Sequence, residues 1–377
     1  MEQPPQFNFI DVLRAPAKAL SAKKIFVMTF FICLGLVVYD IFTYIALAID
    51  GERLSYVWSV YGMAPFYKYV YGNIIAQIVF GVGAALAVLV VMMGIFGVAS
   101  MDIESIRGNR FFGPFKAIGF SFRRLGQIFL SEFAIVVFLI FVVILFAIFG
   151  LICRIPVIGS WIYAVFFVVP GFVIAIFTVF IFFVLTLSVV LLPAVSATER
   201  HGEAFTSILE TFSTIIRQPV RWGIYTAYTL VAAKIFSFVY AYFCFRSVQF
   251  IGWASKFGGG EKMDHLIRSG LSHLPMKSDL ARETFNFFPG IDWGVELARW
   301  SRGGGEEAVG HLMAFMLFLI FASILGYFMA TIAVGQARAY VAIRYIKDDY
   351  SIPDEKPLFF EDENVNPPID SPGDDAI

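Results

Sequence analysis

The chain of 377 residues is 59% hydrophobic and only 15% charged, with a formal net charge of -1. A typical soluble domain carries about 25% charged residues. These values exclude a soluble enzyme, a nucleic-acid-binding protein and a disordered protein, and they predict an all-α, polytopic membrane protein whose helices are embedded in lipid.

Residues 1–24 form a basic N-terminal segment that precedes a long apolar run. The run after Lys23 and Lys24 is too long for the core of a signal peptide, and it lacks a small-residue cleavage site. We therefore expect this run to be an uncleaved first membrane span.

Membrane spans are predicted by length, because a hydrocarbon core about 30 Å thick requires roughly 20 apolar residues of helix. Six stretches qualify and predict a transmembrane domain over residues 25–346: about 25–48, 73–99, 127–152, 161–192, 222–245 and 309–334. The fourth contains Pro170 and Gly171, which predict a kink or a strong tilt.

The orientation is predicted from the positive charge of the short connections. The N-terminus, residues 100–126, residues 193–221 and the C-terminal end are rich in Lys and Arg, whereas the opposite short loops hold only Arg53, Lys68 and Arg154. Positively charged loops stay in the cytoplasm. We therefore expect a multi-pass protein of the cell (inner) membrane with both termini cytoplasmic.

Each outward-going span follows an amphipathic stretch, at residues 9–20, 111–124 and 204–217. Apolar residues recur there at the spacing of a helix that lies among lipid headgroups. This pattern predicts three interfacial helices and suggests three repeated units, each an interfacial helix followed by a membrane hairpin. The alternative is that any basic loop beside a membrane has this composition.

Basic residues in the second cytoplasmic connection are predicted to form a cytoplasmic basic interface. They are Arg107, Arg110, Lys116, Arg123 and Arg124.

Two stretches of the chain resemble the motifs of a known family. Pro193-Ala194 closes a span, Gly202-Glu203-Ala204 follows, and an amphipathic stretch ends at Arg217–Trp222. This motif and the exit Ala339–Lys347 resemble a broad group of six-span bacterial membrane proteins. The group includes the membrane domain found ahead of some glycerophosphodiester phosphodiesterases and its stand-alone relatives. The resemblance implies a six-helix fold and no activity, since the catalytic domain of that family is not recognisable here.

Two charged residues inside predicted spans suggest a site. Lys234 lies near the middle of the fifth span and Asp40 slightly outward of the middle of the first. A charge at this depth is costly unless it has a partner, so we predict an Asp40–Lys234 ion pair inside the bundle. The pair is a proton-coupled or substrate-coupled site, or a structural clasp. Alternatively, Lys234 contacts backbone carbonyls.

Two further polar residues lie inside predicted spans. Glu132 is one to two turns inside the third span. It either joins a relay or bonds the adjacent basic residues, Arg123 or Arg124. Gln77, near the outer end of the second span, is predicted to form an interhelical hydrogen bond.

The loop 246–308 is predicted to lie outside the membrane. Apolar residues at helical spacing over 263–274 and 291–300 predict two helices that rest on the outer leaflet or cap the bundle.

The C-terminal residues 347–377 are predicted to form a disordered cytoplasmic tail, because they are rich in acidic residues and proline. The apolar island Leu358-Phe359-Phe360 is either a docking motif for a basic partner or part of an inert solubilising tail.

No catalytic, phosphate-binding or metal-binding motif is recognisable, so we expect neither an enzyme nor a cofactor. Two classes of function remain. The first is a non-catalytic membrane protein that binds partner proteins or lipids, as a scaffold, assembly factor or accessory subunit. The second is a transporter or lipid-handling permease that uses Asp40 and Lys234.

Overall fold

The computed structural model describes residues 6–63, 65, 72–109, 112–155, 158–199, 202–274 and 304–355. Throughout these residues the regular structure is helical, and no strand is present. The prediction of an all-α protein is therefore confirmed.

The helices follow one another with short connections in most of the described chain. They are α1 (Phe9–Leu13), α2 (Ala15–Ala19), α3 (Ala22–Ile49), α4 (Leu54–Tyr61), α5 (Ile74–Ile106), α6 (Pro114–Arg123), α7 (Leu125–Ile152), α8 (Ile158–Phe166), a π-helical turn (Phe167–Gly171), α9 (Phe172–Ser196), α10 (Ala204–Arg217), α11 (Pro219–Gly259), α12 (Glu261–Ser272), α13 (Gly304–Asp348) and a 3₁₀ turn (Ile352–Asp354).

Five of the described helices are long and apolar enough to cross a membrane: α3, α5, α7, α11 and α13. Their exposed side chains are largely apolar, most of all on α7, as expected for helices solvated by lipid. The predicted fourth span, 161–192, covers most of α8, the π-helical turn and most of α9. Helix α9 bends by 52° between Phe172–Val184 and Thr186–Ser196. The described chain therefore has six spans only if the two halves of α9 count as one.

The predicted kink of the fourth span takes two forms in the structure. Pro170 lies in the π-helical turn between α8 and α9. Proline lacks an N–H and clashes with the carbonyl four residues earlier, and a wider turn accommodates both effects. The 52° bend comes later, between Val184 and Thr186, where no proline or glycine is present.

The long helices form three successive pairs, α3 with α5, α7 with α9, and α11 with α13. The second helix of each pair also packs against the second helices of the other two pairs. Thus α5, α9 and α13 form a central group of three, and we call them the central helices.

Four short helices, α1, α2, α6 and α10, lie at the end of the bundle where both described termini are found, which we call the basal end. Helix α6 packs against α5 and α3 of the first pair, and α10 packs against α9 and α7 of the second. Helices α1 and α2 pack against α13 and α11 of the third pair. Helices α6 and α10 therefore each lie against the helix pair that precedes them in the chain. Helices α1 and α2, which precede all three pairs, lie against the last pair, so the packing is cyclic.

The opposite, distal end is extended by α11, α12 and α13. Helices α11 and α13 contain 41 and 45 residues, which correspond to lengths of about 60 and 65 Å, roughly twice the hydrocarbon thickness. Helix α12 packs against both: a methyl group on Gly270 would overlap the side chain of Met313, and one on Gly252 would lie 2.8 Å from Ile267. We call α12 and the adjoining parts of α11 and α13 the distal projection.

The structure differs in part from the sequence prediction for loop 246–308. Helix α11 continues to Gly259 instead of ending near residue 245. A helix is present where the pattern over 263–274 predicts one, and of the two predicted placements, on the leaflet or against the bundle, its packing against α11 and α13 agrees with the second. Gly252 and Gly270 lie at these contacts and allow α12 to approach α11 and α13 closely. The second predicted helix, at 291–300, lies outside the described residues.

The C-terminal tail begins later than the sequence predicts. Helix α13 continues to Asp348, and the next residues fold back onto the bundle, where Ile352 is 1% exposed. Glu355 forms an ion pair with Arg107. Residues 349–355 therefore form a strap against the basal end, and the assignment of these residues to the tail was wrong.

Two truncations separate the strap from the tail. Removing residues 356–377 is expected to leave the melting temperature of the detergent-solubilised protein unchanged, as their composition predicts disorder. Removing residues 349–377 is expected to lower it, because the loss of a buried Ile352 alone costs about 1.5–3 kcal/mol. Equal melting temperatures for the two truncations would contradict a structural role of the strap.

Candidate functional site

Charged side chains are concentrated inside the basal end of the bundle. Asp102 of α5 is 1% exposed and accepts hydrogen bonds from two cations. Lys24 Nζ donates to Asp102 Oδ1 at 2.6 Å, and Arg338 Nε of α13 donates to Oδ2 at 2.8 Å. Arg338 Nη2 adds a second bond at 3.2 Å. This carboxylate is therefore ionised and neutralised within the protein.

Arg107, just after α5, connects three segments of chain. Its guanidinium donates to Glu104 at 3.3 Å and to the carbonyl oxygen of Thr198, beyond α9, at 3.3 Å. It also donates to Glu355 of the strap. The side chain of Arg107 is fully buried, and these contacts bond its two terminal nitrogens.

Arg344 near the end of α13 completes the set. It donates to Glu199 at 3.4 Å and to the hydroxyl of Tyr340 at 2.8 Å. Burial raises the pKa of Glu199 above its usual range, and the positive charge of Arg344 partly opposes that rise. One turn further on, Lys347 bonds Glu210 of α10 at 3.0 Å.

These contacts join each pair of central helices: α5 to α9 through Arg107, α9 to α13 through Glu199, and α13 to α5 through Asp102. We call this set the basal ion network; its members are Lys24, Asp102, Glu104, Arg107, Thr198, Glu199, Arg338, Arg344 and Glu355. Because its acids and bases bond one another, the network is suited to holding the three helix pairs together rather than to binding a substrate.

The described residues of the predicted basic interface lie in different environments. Lys116 and Arg123 are exposed, as expected for contact with headgroups. Arg107 is buried in the basal ion network, so its assignment to the interface was wrong. Arg124 is partly buried and its guanidinium packs against Gly202. Arg110 lies outside the described residues.

Glu132 lies on α7, facing α9. The hydroxyl of Ser188 lies 2.9 Å and 3.1 Å from the two carboxylate oxygens of Glu132. The predicted partners, Arg123 and Arg124, form no ion pair with Glu132, so this prediction was wrong. The reason is geometric: Arg124 turns toward the connection between α9 and α10 and Arg123 toward solvent, whereas Glu132 projects between the two helices of its own pair.

The other predicted span residues lie on separate helices. Asp40 on α3 and Lys234 on α11 are both partly buried, and both helices pack against α13. Their ion pair stays a prediction. Gln77 is exposed near the start of α5, and its interhelical hydrogen bond also stays a prediction.

Lys24, Asp102 and Arg338 are site residues that the sequence pattern does not reveal. The predicted second span ends at residue 99, which places Asp102 and Glu104 in the following connection, and Lys24 and Arg338 bear only on the predicted orientation. A usable signal was present, because two acids follow an apolar run without any glycine or proline to end the helix.

Two other predictions concern the apolar island of the tail and metal binding. The island Leu358-Phe359-Phe360 lies outside the described residues. Within the described part of the chain, no group of three or more His, Cys, Asp or Glu residues is placed to hold a metal ion.

The chain was compared with protein-family models, curated proteins and solved structures. No family model, no curated protein and no solved structure matches the chain.

Proposed function

We propose that this chain is a non-catalytic membrane protein that binds partner proteins or lipids, as a scaffold, assembly factor or accessory subunit. The observation that carries the proposal is the distal projection. The predicted span of α11 ends near residue 245, whereas α11 continues to Gly259, and α12 packs against this extension and against the early part of α13.

The distal projection presents an aromatic surface on α11. Phe250, Trp253 and Phe257 are exposed, Phe257 by 78%, and neighbouring ring centroids are 5.9 and 5.0 Å apart. Aromatic side chains are enriched where proteins bind one another, because they bury a large area at small cost in conformational entropy. We call these three residues the aromatic patch and place partner binding there.

Native mass spectrometry of the protein in mild detergent tests this proposal. We expect a retained protein subunit in the wild type and its loss from the triple variant Phe250→Ala, Trp253→Ala, Phe257→Ala. The matched control replaces three exposed phenylalanines of α9, Phe177, Phe182 and Phe183, with alanine.

The two variants distinguish specific binding from general loss of apolar surface. A subunit that stays bound to both variants, or that is absent from the wild type, would contradict the proposal. If the wild type retains a lipid that is lost only from the aromatic-patch variant, the proposal of a protein partner is contradicted and the patch binds a lipid.

We also propose three hairpin repeats, interfacial short helices and cytoplasmic termini. The three helix pairs and their cyclic packing with the short helices support three hairpin repeats. Exposed apolar residues on the short helices, such as Leu13, Phe115 and Phe205, support their placement among lipid headgroups. With α9 counted as one span, an even number of spans puts both termini on one side, and the basic loops favour the cytoplasm.

A second candidate function, a lipid-handling permease, is favoured by one observation. The bend of α9 lies beside Ser188, the hydroxyl partner of Glu132. Interrupted spans that carry polar side chains form the binding sites of many transporters. This site differs from the Asp40–Lys234 site that the sequence suggested.

A further inference from the structure

Glu132 is the starting point, because its environment differs from that of Asp102 and Glu104, the acids that α5 contributes to the basal ion network. It lies on α7, roughly 10 Å along the axis from the first residue of that helix, and it is partly buried. Its partner is the neutral hydroxyl of Ser188. Among the described residues, no Lys, Arg or His lies within ion-pair distance of the Glu132 carboxyl group.

Asp102 provides the contrast within the same protein. It is more deeply buried than Glu132, but three nitrogen atoms of Lys24 and Arg338 bond its carboxylate. Two positive charges keep that carboxylate ionised. A single hydroxyl has one hydrogen to donate and no net charge, so it cannot compensate for the lost hydration of an ionised Glu132.

Charged groups on the elements packed against α7 point elsewhere. Arg123 is exposed, and Arg124 packs against Gly202. Glu203 at the start of α10 accepts a bond from Thr206, and Asp102 and Glu104 on α5 belong to the basal ion network. On α9 the facing polar group is Ser188 itself.

Ser188 is fully buried, whereas Glu132 is partly exposed, so the pair reaches the lipid from the α7 side. Phe129 and Phe133, on either side of Glu132 along α7, are exposed. Ser188 lies in the second half of α9, one turn past Val184, where the first half ends at the 52° bend.

We propose that Glu132 holds a proton at neutral pH and, with Ser188, forms a proton-binding site open to the lipid at the bend of α9. The site is independent of partner binding at the distal projection. Its ligand is the proton, which leaves the carboxylate paired with the Ser188 hydroxyl when it dissociates.

Infrared difference spectroscopy tests the protonation. Spectra of the wild type and of Glu132→Gln, both in lipid nanodiscs at pH 7, are subtracted. We expect the carbonyl stretch of a protonated carboxylic acid in the wild type and its absence from the variant. No such band in the difference spectrum would show an ionised Glu132 and overturn the proposal.

Labelling with the hydrophobic reagent dicyclohexylcarbodiimide, followed by peptide mass spectrometry, tests access from the lipid. This reagent reacts with protonated carboxyl groups. We expect an adduct at Glu132 that falls about tenfold for each pH unit above its pKa. Asp102 is the internal control and stays unlabelled throughout. If Glu132 is protonated but forms no adduct at any pH, the proposal that the site is open to the lipid is overturned.

Ser188→Ala provides a second variant. The hydroxyl stabilises the ionised form, so its removal is expected to raise the pH at which labelling is half-complete. An unchanged or lower midpoint would contradict the pairing. If Glu132→Gln does not fold, the pH dependence of the wild-type adduct and its shift in Ser188→Ala still decide the proposal.

Discussion

Replacing Asp102 with alanine is expected to lower the free energy of unfolding by about 3–5 kcal/mol, because Lys24 and Arg338 would remain buried without the carboxylate that they share. The same change breaks the contact between α5 and α13 at the basal end. The measurement is thermal unfolding of the detergent-solubilised protein.

Two further variants show whether the effect comes from unpaired charge. Glu307→Gln removes an exposed carboxylate from α13 and is expected to leave the melting temperature unchanged. The triple variant Lys24→Met, Asp102→Leu, Arg338→Met replaces the ions by apolar groups and is expected to regain most of the loss. If Asp102→Ala melts like the wild type, the basal ion network does not stabilise the bundle.

Gly326→Ala is expected to cost about 1–3 kcal/mol, although alanine is the better helix former. A methyl group there would overlap the hydroxyl of Thr29 on α3 and lie 3.2 Å from the backbone oxygen of Ile25. Gly81→Ala is the matched change on another span. Nothing lies within 4 Å of the added carbon, so a gain of up to about 1 kcal/mol is expected.

The opposite signs of these two substitutions test the contact between α13 and α3. The double variant Thr29→Ala, Gly326→Ala removes the side-chain overlap but not the backbone approach, so partial recovery is expected. Equal melting temperatures for Gly81→Ala and Gly326→Ala would show that α13 does not approach α3 this closely. Thermal unfolding in one detergent measures all three variants.

Several elements of the fold follow from local pattern. Long apolar runs predict the membrane helices, since the hydrocarbon core admits little else, and the positions of α3, α5, α7 and the first half of α11 agree with the predicted spans. The short helices α6 and α10 also lie where the apolar spacing predicts them. Their arrangement against the helix pairs was not predictable, because it depends on tertiary contacts, some between residues as far apart as Pro16 and Tyr327.

The candidate sites show where pattern is insufficient. Arg107 and Arg123 have the same charge and neighbouring positions in one connection, yet Arg107 is buried between three segments and Arg123 faces solvent. Glu132 was recognised as unusual, but its partner Ser188 is one of many serines, and only the packing of α7 against α9 selects it. The strap was missed because its apolar contact rests on Ile352 alone, within an acidic stretch.

Composition alone made this chain an all-helical membrane protein, because its apolar surface exceeds what a protein core can hold and lipid requires backbone groups to bond within helices. The folded arrangement determined which charges are paired, which glycines are contacts and how far the distal helices extend. A helix in lipid satisfies its own backbone wherever it lies, so its neighbours are chosen by the fit of small residues and the pairing of buried charges. Those choices join residues as distant along the chain as Lys24, Asp102 and Arg338.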